Sequence, residues 1–444
     1  MSKTIVLAYS GGLDTSALIP WLREKYDAQV VACLIDLGRV KDVPAIMARA
    51  EAAGAVAAVA IDAKEEFAEH HCLPALMANA LYEDKYPLST AIGRPLIAKK
   101  LVETAHRYGA QAVAHGCTGK GNDQVRVDIG VRALDPSLEI IAPARGADWP
   151  SREELLDYVA ARGIPVNLTK KSPYSIDENL WGRSNECGVL EDPWAAPPED
   201  AFQFVKAVAD APDEPQHVVV GFEQGKPVAL DGVPMGMVEL IETIDAIGNA
   251  HGFGRVDMIE NRLVGIKSRE VYEVAGSLAL ITAHRELEDL VLTRDLLHFK
   301  RTIESKLADM IYEGQWFDPL TEACKAFLFQ SQERVTGDVR LRFHKGGCVA
   351  DGRRSDYSLY SYKLATYTTE DEFDHEAAAG FIELWGLPIE IWARIGKEHD
   401  LMQELAVDAE AVDEVDAVTV HEAAAQVVDG AEAAAVGETD AVPA

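Results

Sequence analysis

Short apolar runs alternate with amphipathic stretches from residue 4 to about residue 165. This alternation is typical of βα units wound into a parallel sheet, where buried strands are almost continuously apolar. The predicted strands are residues 4–9, 29–35, 55–61, 111–115 and 139–142, and the predicted helices are residues 14–25, 43–53, 94–108 and 151–162. The last helix begins with the capping pattern Ser-Arg-Glu-Glu. Residues 1–165 are therefore predicted to form a doubly wound α/β domain.

The pattern becomes mixed after residue 165. A Pro-rich connection occupies residues 193–198, and the turn residues at 223–227 predict a β-hairpin. Helical patterns follow at residues 234–250, 274–292 and 294–312, and two strand-like runs at 334–344 and 348–353 flank the turn at 345–347. These elements predict an α+β domain over residues 166–375.

The last seventy residues contain two further segments. Residues 376–398 are apolar at helical spacing and include Trp385 and Trp392, which predicts an oligomerisation helix at about residues 376–400. From Asp408 onward the chain has ten acidic residues and no Lys or Arg. Such a segment cannot bury enough apolar surface to offset the entropy lost on ordering. We therefore predict a disordered acidic tail at residues 405–444.

Charge and cysteine usage exclude several classes of function. The chain has 42 basic and 73 acidic side chains, a formal net charge of −31, so nucleic acid is not expected as a main partner. Six widely spaced cysteines indicate neither a disulfide framework nor a cysteine zinc site. We also see no histidine set with metal-ligand spacing, no membrane-spanning apolar run and no signal-peptide pattern, so a cytoplasmic location without membrane association is expected.

The segment Ser10-Gly-Gly-Leu-Asp-Thr-Ser16 follows the first predicted strand and leads into the first predicted helix. Glycines let the backbone close around a phosphate group, and the N–H groups at a helix start attract its negative charge. Ser10, Thr15 and Ser16 add hydroxyl groups, and Asp14 is placed to help hold a phosphate-bound Mg²⁺. The alternative is a tight turn with an ordinary helix cap. Three hydroxyls, two glycines and one acid at this turn favour a nucleotide-binding domain.

A second polar segment, His115-Gly-Cys-Thr-Gly-Lys-Gly-Asn-Asp-Gln-Val-Arg126, follows the fourth predicted strand. Three glycines permit close approach to a ligand, and the remaining side chains offer donors, acceptors and both signs of charge. The alternative is a flexible polar loop with a charged rim. Because open α/β sheets bind ligands at the carboxyl ends of their strands, we interpret this segment as a second part of the same site.

Six separated motifs now make a specific resemblance visible. They are AYSGGLDTS at 8–16, LYEDKYP at 81–87, HGCTGKGNDQVR at 115–126, SIDEN at 175–179, ENR at 260–262 with KSR at 267–269, and SQER at 331–334. The first resembles the PP-loop of ATP pyrophosphatases, and the whole set resembles the argininosuccinate synthase family. The resemblance extends over residues 4 to about 395.

The resemblance implies an ATP-dependent ligation of L-citrulline and L-aspartate to 2-(Nω-L-arginino)succinate, with release of AMP and diphosphate, in arginine biosynthesis. The ureido oxygen would first attack the α-phosphate of ATP to give a citrullyl-adenylate, from which the aspartate amine then expels AMP. The resemblance further implies Mg²⁺ with ATP, no prosthetic group and a homotetramer.

The same resemblance assigns site residues position by position. ATP is expected to contact Ala8, Tyr9, Ser10, Gly11, Gly12, Leu13, Asp14, Thr15, Ser16, Ile35 and Gly116. Aspartate is expected to contact Thr118, Asn122 and Asp123. Citrulline is expected to contact Tyr86, Ala91, Asn122, Arg126, Ser175, Ser184, Glu260 and Tyr272. Asp14, Asp123 and Arg126 are the expected catalytic residues.

Two positions depart from the pattern seen in some relatives. Ala91 stands where some members have Ser and can offer only backbone contacts. Ile35, expected beside adenine, can offer main-chain groups and apolar area alone. We expect these departures to affect affinity and not the reaction class.

Two other functions fit the sequence less well. A PP-loop enzyme that thiolates tRNA would need a basic face and usually catalytic cysteines, and this chain is acidic with no paired cysteine. An ATP-binding module without chemistry would not need a polar zwitterion pocket beside the phosphate loop.

Overall fold

The computed structural model describes residues 2–146, 149–165 and 174–398 of the chain. Contacts divide the chain into two units, Met1–Tyr360 and Ser361–Ala444. The predicted tail at 405–444 lies outside the described residues, as do the first residues after 165.

Five strands form a parallel sheet in the order β3-β2-β1-β4-β5. The strands are β1 (Thr4–Ala8), β2 (Gln29–Asp36), β3 (Ala57–Asp62), β4 (Ala112–Ala114) and β5 (Glu139–Ile141). The helices are α1 (Leu13–Tyr26), α2 (Val43–Ala52), α3 (Lys64–Phe67), α4 (Leu73–Met77), α5 (Ser89–Tyr108), α6 (Asp123–Leu134) and α7 (Arg152–Ala161), and a π-helical turn (Ala68–Cys72) joins α3 to α4. The five predicted strands are confirmed.

Apolar cores lie on both faces of this sheet. Ile5 and Leu7 belong to one cluster with Leu18 of α1, whereas Val6 belongs to another with Leu101 of α5. Neighbouring residues of a strand point to opposite faces, so a strand covered on both sides must be apolar throughout. The doubly wound fold class is confirmed.

The structure of this domain differs from the predictions in three details. The helix predicted at 94–108 begins at Ser89, since Pro95 marks an interior position of α5 and not its start. Helix α6, which begins at Asp123 within the segment 115–126, was not predicted. The helical segment from Lys64 to Met77 was not predicted. The predicted cap of α7 is confirmed, since Ser151 forms a capping box with Glu154.

Two antiparallel sheets follow in the second half of the first unit. One has the order β10-β9-β8-β13-β14 and the other the order β11-β12-β7-β6. Their strands are β6 (Ser175–Asn179), β7 (Gly182–Glu186), β8 (Gln216–Glu223), β9 (Lys226–Leu230), β10 (Val233–Pro234), β11 (Arg255–Asn261), β12 (Lys267–Glu273), β13 (Gly337–His344) and β14 (Gly347–Arg354). The helices are α8 (Met237–Ala250), α9 (Ala275–Val291), α10 (Arg294–Tyr312) and α11 (Pro319–Ser331).

This half confirms the predicted α+β class and the hairpin at 223–227, which joins β8 to β9. The helix predicted from 234 begins at Met237, and the strand predicted from 334 begins at Gly337. Strands β6, β7, β11 and β12 and helix α11 were missed. The four strands carry many charged side chains, so they lack the clear apolar alternation that identifies a strand.

The second unit contains α12 (Tyr362–Ala365) and α13 (His375–Glu398). The predicted helix at 376–398 is thus confirmed, and Trp385 and Trp392 are 70% and 65% exposed. Each helix among the described residues is too short or too polar to span a lipid bilayer.

Candidate active site

The first turn of the parallel sheet opens into a cleft of about 1510 Å³. Of the residues expected to bind ATP, the cleft is lined by Ala8, Tyr9, Ser10, Gly12, Asp14, Thr15, Ile35 and Gly116. Gly11, Leu13 and Ser16 lie behind this surface. Leu13 and Ser16 are buried in the domain, and the Ser16 hydroxyl lies 3.1 Å from that of Tyr9. These buried side chains shape the turn from inside.

The glycine turn is open on its ligand side. Gly11 has a φ of +77°, and a Cβ there would lie 2.9 Å from the Ile46 side chain. Gly12 is the N-cap of α1, and within the described residues no side chain caps this helix. The N–H groups of the first turn are therefore available to an anion. The hydroxyls of Ser10 and Thr15, 3.2 Å apart, stand beside them.

His115 fixes the start of the second glycine segment. Its Nε2 lies 2.9 Å from Asp128 Oδ1, and its Nδ1 accepts the N–H of Cys117 at 3.2 Å. The ring therefore donates through Nε2–H to the carboxylate. Arg145 also binds both oxygens of Asp128. This network holds Gly116 at the edge of the nucleotide cleft.

A second cavity of about 520 Å³ adjoins the cleft. It is lined by seven of the eight residues expected to bind citrulline, Tyr86, Asn122, Arg126, Ser175, Ser184, Glu260 and Tyr272, and by Asp123 from the expected aspartate site. Thr90, Gly121, Asp177, Glu186, Arg262 and Glu270 complete the lining. Because Asp123, Ser175 and Asp177 line both spaces, the two cavities share a wall.

Two residues expected to bind the amino-acid substrates lie outside these linings. Thr118 is on the exposed loop before α6. Ala91 is fully buried in the first turn of α5. Because Pro95 has no N–H, the carbonyl of Ala91 lacks the donor that normally follows four residues later in a helix. Ala91 could contact a ligand through this carbonyl.

Arg94 organises the shared wall. Its Nη2 donates to Asp123 Oδ2 at 2.7 Å and to Asp177 Oδ2 at 2.8 Å. Burial alone would raise the pKa of Asp123, but the guanidinium groups of Arg94 and Arg126 outweigh it and lower the pKa to about 2. Arg94 was not predicted as a site residue from the sequence. The feature that could have indicated its role is the position of a charged arginine in the otherwise apolar stretch around Ile92 and Leu96 of α5.

Arg126 offers a buried guanidinium to the second cavity. Its Nε donates to the Tyr312 carbonyl at 2.8 Å, and its Nη1 donates to Asp123 Oδ1 at 3.0 Å. Arg126 is 4% exposed, and its buried Nη2 has no hydrogen-bond partner among the described residues. An unpaired buried N–H group is costly unless a ligand satisfies it. A carboxylate fits this position because a guanidinium can bind both its oxygens.

Asn122 joins the second glycine segment to the C-terminal half of the first unit. Its Nδ2 donates to Tyr312 Oη at 2.8 Å, and its Oδ1 accepts the N–H of Leu263 at 2.9 Å. One amide hydrogen remains for a substrate.

Two stacked tyrosines form the floor of the second cavity. The rings of Tyr86 and Tyr272 lie 4.2 Å apart. Tyr86 Oη accepts the N–H of Thr90 at 2.8 Å, and burial raises the pKa of Tyr86. Tyr272 Oη contacts the carboxylates of Glu260 and Glu270. This end of the cavity is acidic, whereas Arg126 provides a cationic group elsewhere in its lining. Such a charge pattern fits a zwitterion.

Fold and site together define a nucleotide-dependent enzyme of the PP-loop class. Residues 4–165 match the model of the arginosuccinate synthase N-terminal HUP domain, and residues 174–392 match that of the arginosuccinate synthase C-terminal domain. The chain belongs to the argininosuccinate synthase family, whose members ligate citrulline and aspartate with ATP in arginine biosynthesis.

Curated relatives cover most of the chain. The argininosuccinate synthase of Halalkalibacterium halodurans is 56% identical over 403 residues, which is 90% of this chain and 98% of the relative. That of Bacillus subtilis is 54% identical over 399 residues, with the same coverage. That of Geobacillus kaustophilus is 56% identical over 396 residues, 89% of this chain and 97% of the relative.

Proposed function

We propose that this chain catalyses the family reaction in two steps across the shared wall of its two cavities. The supporting observation is the position of Ser175, Asp177 and Asp123, which line both cavities. A citrulline in the smaller cavity could extend its ureido oxygen past this wall to the α-phosphate of ATP. The aspartate amine would then attack the adenylated carbon and expel AMP. Proximity of this kind lowers the entropic part of the barrier.

The glycine turn is proposed to bind the departing diphosphate. The N–H groups of the first turn of α1 and the hydroxyls of Ser10 and Thr15 would bind its oxygens. Mg²⁺ would enter with ATP as part of the substrate, and the Asp14 carboxylate in the cleft is an oxygen ligand of the kind it prefers.

Citrulline is proposed to bind with its carboxylate on Arg126 and its ammonium group on Glu260. Arg126 Nη2 has no hydrogen-bond partner in the part of the chain that the structure describes, and Glu260 is 1% exposed and lines the same cavity. The hydroxyls of Ser175 and Ser184 would then face the rest of the substrate. Each end of the zwitterion thus meets a group of opposite charge.

Aspartate is proposed to bind near Asn122 and Asp123. Asp123 is held as an anion and would attract the ammonium group of aspartate. A contact from Thr118 would require the exposed loop before α6 to fold toward the cavity.

An omission experiment tests the proposal. Pure protein is incubated with ATP, Mg²⁺, citrulline and aspartate, each is omitted in turn, and pyrophosphate and argininosuccinate are measured. We expect ligation to require all components, and pyrophosphate release in the first turnover to require citrulline. Pyrophosphate release when citrulline and aspartate are both omitted would contradict the proposed reaction.

We also propose a cytoplasmic homotetramer with a nucleotide domain at 1–165, a synthetase domain at 166–375 and an oligomerisation helix at 376–400. The support for assembly through the helix is its exposed apolar surface. Phe381, Ile382, Leu384, Trp385, Leu387, Ile389, Ile391, Trp392 and Ile395 of α13 are all more than 40% exposed.

Removal of this surface is expected to lower the oligomeric state. We predict that a chain ending at Gly380, and the full-length Trp385→Glu/Trp392→Glu variant, no longer form tetramers in size-exclusion chromatography with light scattering. Glu370→Gln, which changes an exposed residue ahead of α13, serves as the control. A tetramer that persists in both altered proteins would refute the role of the helix.

A further inference from the structure

Three carboxylates surround a single guanidinium at the acidic end of the second cavity. Arg262 Nη2 contacts Glu270 Oε1 at 3.0 Å and also contacts Glu186, and its Nε lies 3.8 Å from Glu260 Oε1. The carboxylates come from β7, β11 and β12, and all three line the cavity. Full ionisation would leave two negative charges without a matching cation in this group. Burial makes that state unfavourable.

Tyr272 provides a second, geometric reason why the three carboxylates are not all ionised. Its Oη lies 3.1 Å from Glu260 Oε2 and 3.0 Å from Glu270 Oε2. A phenol has one hydrogen and can donate to only one of these oxygens. The second contact becomes a hydrogen bond only when a carboxyl group supplies the other hydrogen.

The surroundings identify Glu270 as the group that carries this hydrogen. Burial raises its pKa most, the charges of Glu260 and Glu186 raise it further, and Arg262 and Tyr272 oppose them, with a resulting pKa of about 8. A proton on Glu270 Oε2 also satisfies every contact, since Arg262 Nη2 donates to Glu270 Oε1 at 3.0 Å, the protonated Oε2 can donate to Tyr272 Oη, and Tyr272 can then donate to Glu260.

We propose that Glu270 keeps a proton in the empty cavity and releases it when the ammonium group of the amino-acid substrate enters. The carboxyl O–H bond breaks, the proton passes to solvent, and the ammonium group keeps its three hydrogens. The cation then compensates the charge that Glu270 regains. The inference deepens the proposed function, on which it rests, by adding Glu270 as a residue that selects a charged amine.

The consequence is a pH-dependent affinity for citrulline. Since the substrate binds the deprotonated form, affinity should rise about tenfold per pH unit from pH 6 to 7.5 and level off above pH 8 to 9. In Glu270→Gln, which has no carboxyl proton to release, affinity should vary little over this range. Glu186→Gln removes one repelling charge and should move the midpoint to lower pH.

Isothermal titration calorimetry measures the proton directly. Citrulline is titrated at pH 7 into the full-length protein saturated with a non-hydrolysable ATP analogue, in two buffers that differ in ionisation enthalpy. The wild-type protein should release close to one proton per citrulline, and Glu270→Gln should release close to none. Glu239→Gln, which changes an exposed carboxylate on α8, should behave as the wild type.

Each outcome decides a different point. Wild-type binding without proton release, or unchanged release from Glu270→Gln, would overturn the inference while leaving the proposed function intact. An absence of citrulline binding to the wild-type protein would overturn the proposed function itself. Should Glu270→Gln fail to fold, an unchanged midpoint in Glu186→Gln would contradict the inference.

Discussion

Gly12→Val is expected to abolish ATP-dependent pyrophosphate release, with a fall of more than about 10³-fold and loss of measurable ATP affinity. Gly12 lies at the N-cap of α1 and lines the nucleotide cleft. A valine side chain there would occupy the position at which a phosphate approaches the helix N–H groups. ATP affinity is measured by titration calorimetry and pyrophosphate by a coupled assay.

The fold of the Gly12→Val protein should survive. Gly12 has a φ of −74°, which any residue can adopt. A Cβ there would meet only the Ser10 hydroxyl oxygen, at 3.4 Å. Gly11 would be a poorer choice, because its positive φ and the nearby Ile46 would strain any side chain. The expected loss of stability is about 1 kcal/mol or less.

Gly236→Val is the matched control. Gly236 is also the N-cap of a helix with extended backbone, and a Cβ there would meet no atom of the described residues within 4 Å. This variant should lose a similar amount of stability and keep full activity. Unchanged ATP affinity in Gly12→Val would show that the triphosphate binds elsewhere.

The parallel sheet could be predicted because its pattern arises from local physics. Strands β1 and β2 are buried on both faces, so their sequences are almost continuously apolar, and the glycine turn follows β1 directly. The helix α10 was predicted to the residue for a similar reason, since its apolar side chains recur at helical spacing.

The four-stranded sheet could not be predicted in this way. Strand β12, with the sequence KSREVYE, places Glu270 and Tyr272 in a polar cavity, so its chemistry serves the site and obscures the strand pattern. Arg94 was missed because its partners, Asp123 and Asp177, lie 29 and 83 residues away in the chain. Such contacts depend on tertiary structure, and no local pattern indicates them.

Resemblance and geometry contributed different parts of the site. Motifs identified Arg126 and Glu260, but only the fold shows that one N–H of Arg126 is unpartnered among the described residues and that Glu260 shares a phenol with Glu270. The cavity therefore contains more charge than substrate binding alone would suggest. That excess of charge is the physical basis for the proposed release of a proton from Glu270 when the substrate binds.

Asp123→Asn is expected to slow ligation by about 10²- to 10³-fold while citrulline-dependent pyrophosphate release in the first turnover changes less than about tenfold. Asn keeps the shape of the side chain and removes its charge. The aspartate ammonium would lose its anion, whereas the glycine turn and Glu260 would be unchanged. Rapid-quench measurement of both products separates the two steps.

The pH dependence of this variant distinguishes an electrostatic role from a basic one. Because Arg94 and Arg126 outweigh burial and lower the pKa of Asp123 to about 2, the carboxylate is ionised throughout pH 5 to 9 and is a weak base. The ratio of wild-type to variant ligation rates should therefore stay constant over that range. A ratio that rises through a titration near neutral pH would identify Asp123 as the proton acceptor instead. An equal loss of pyrophosphate release and of ligation would contradict the assignment of Asp123 to aspartate binding. Asp157→Asn, on the exposed face of α7, is the control for the loss of a surface charge.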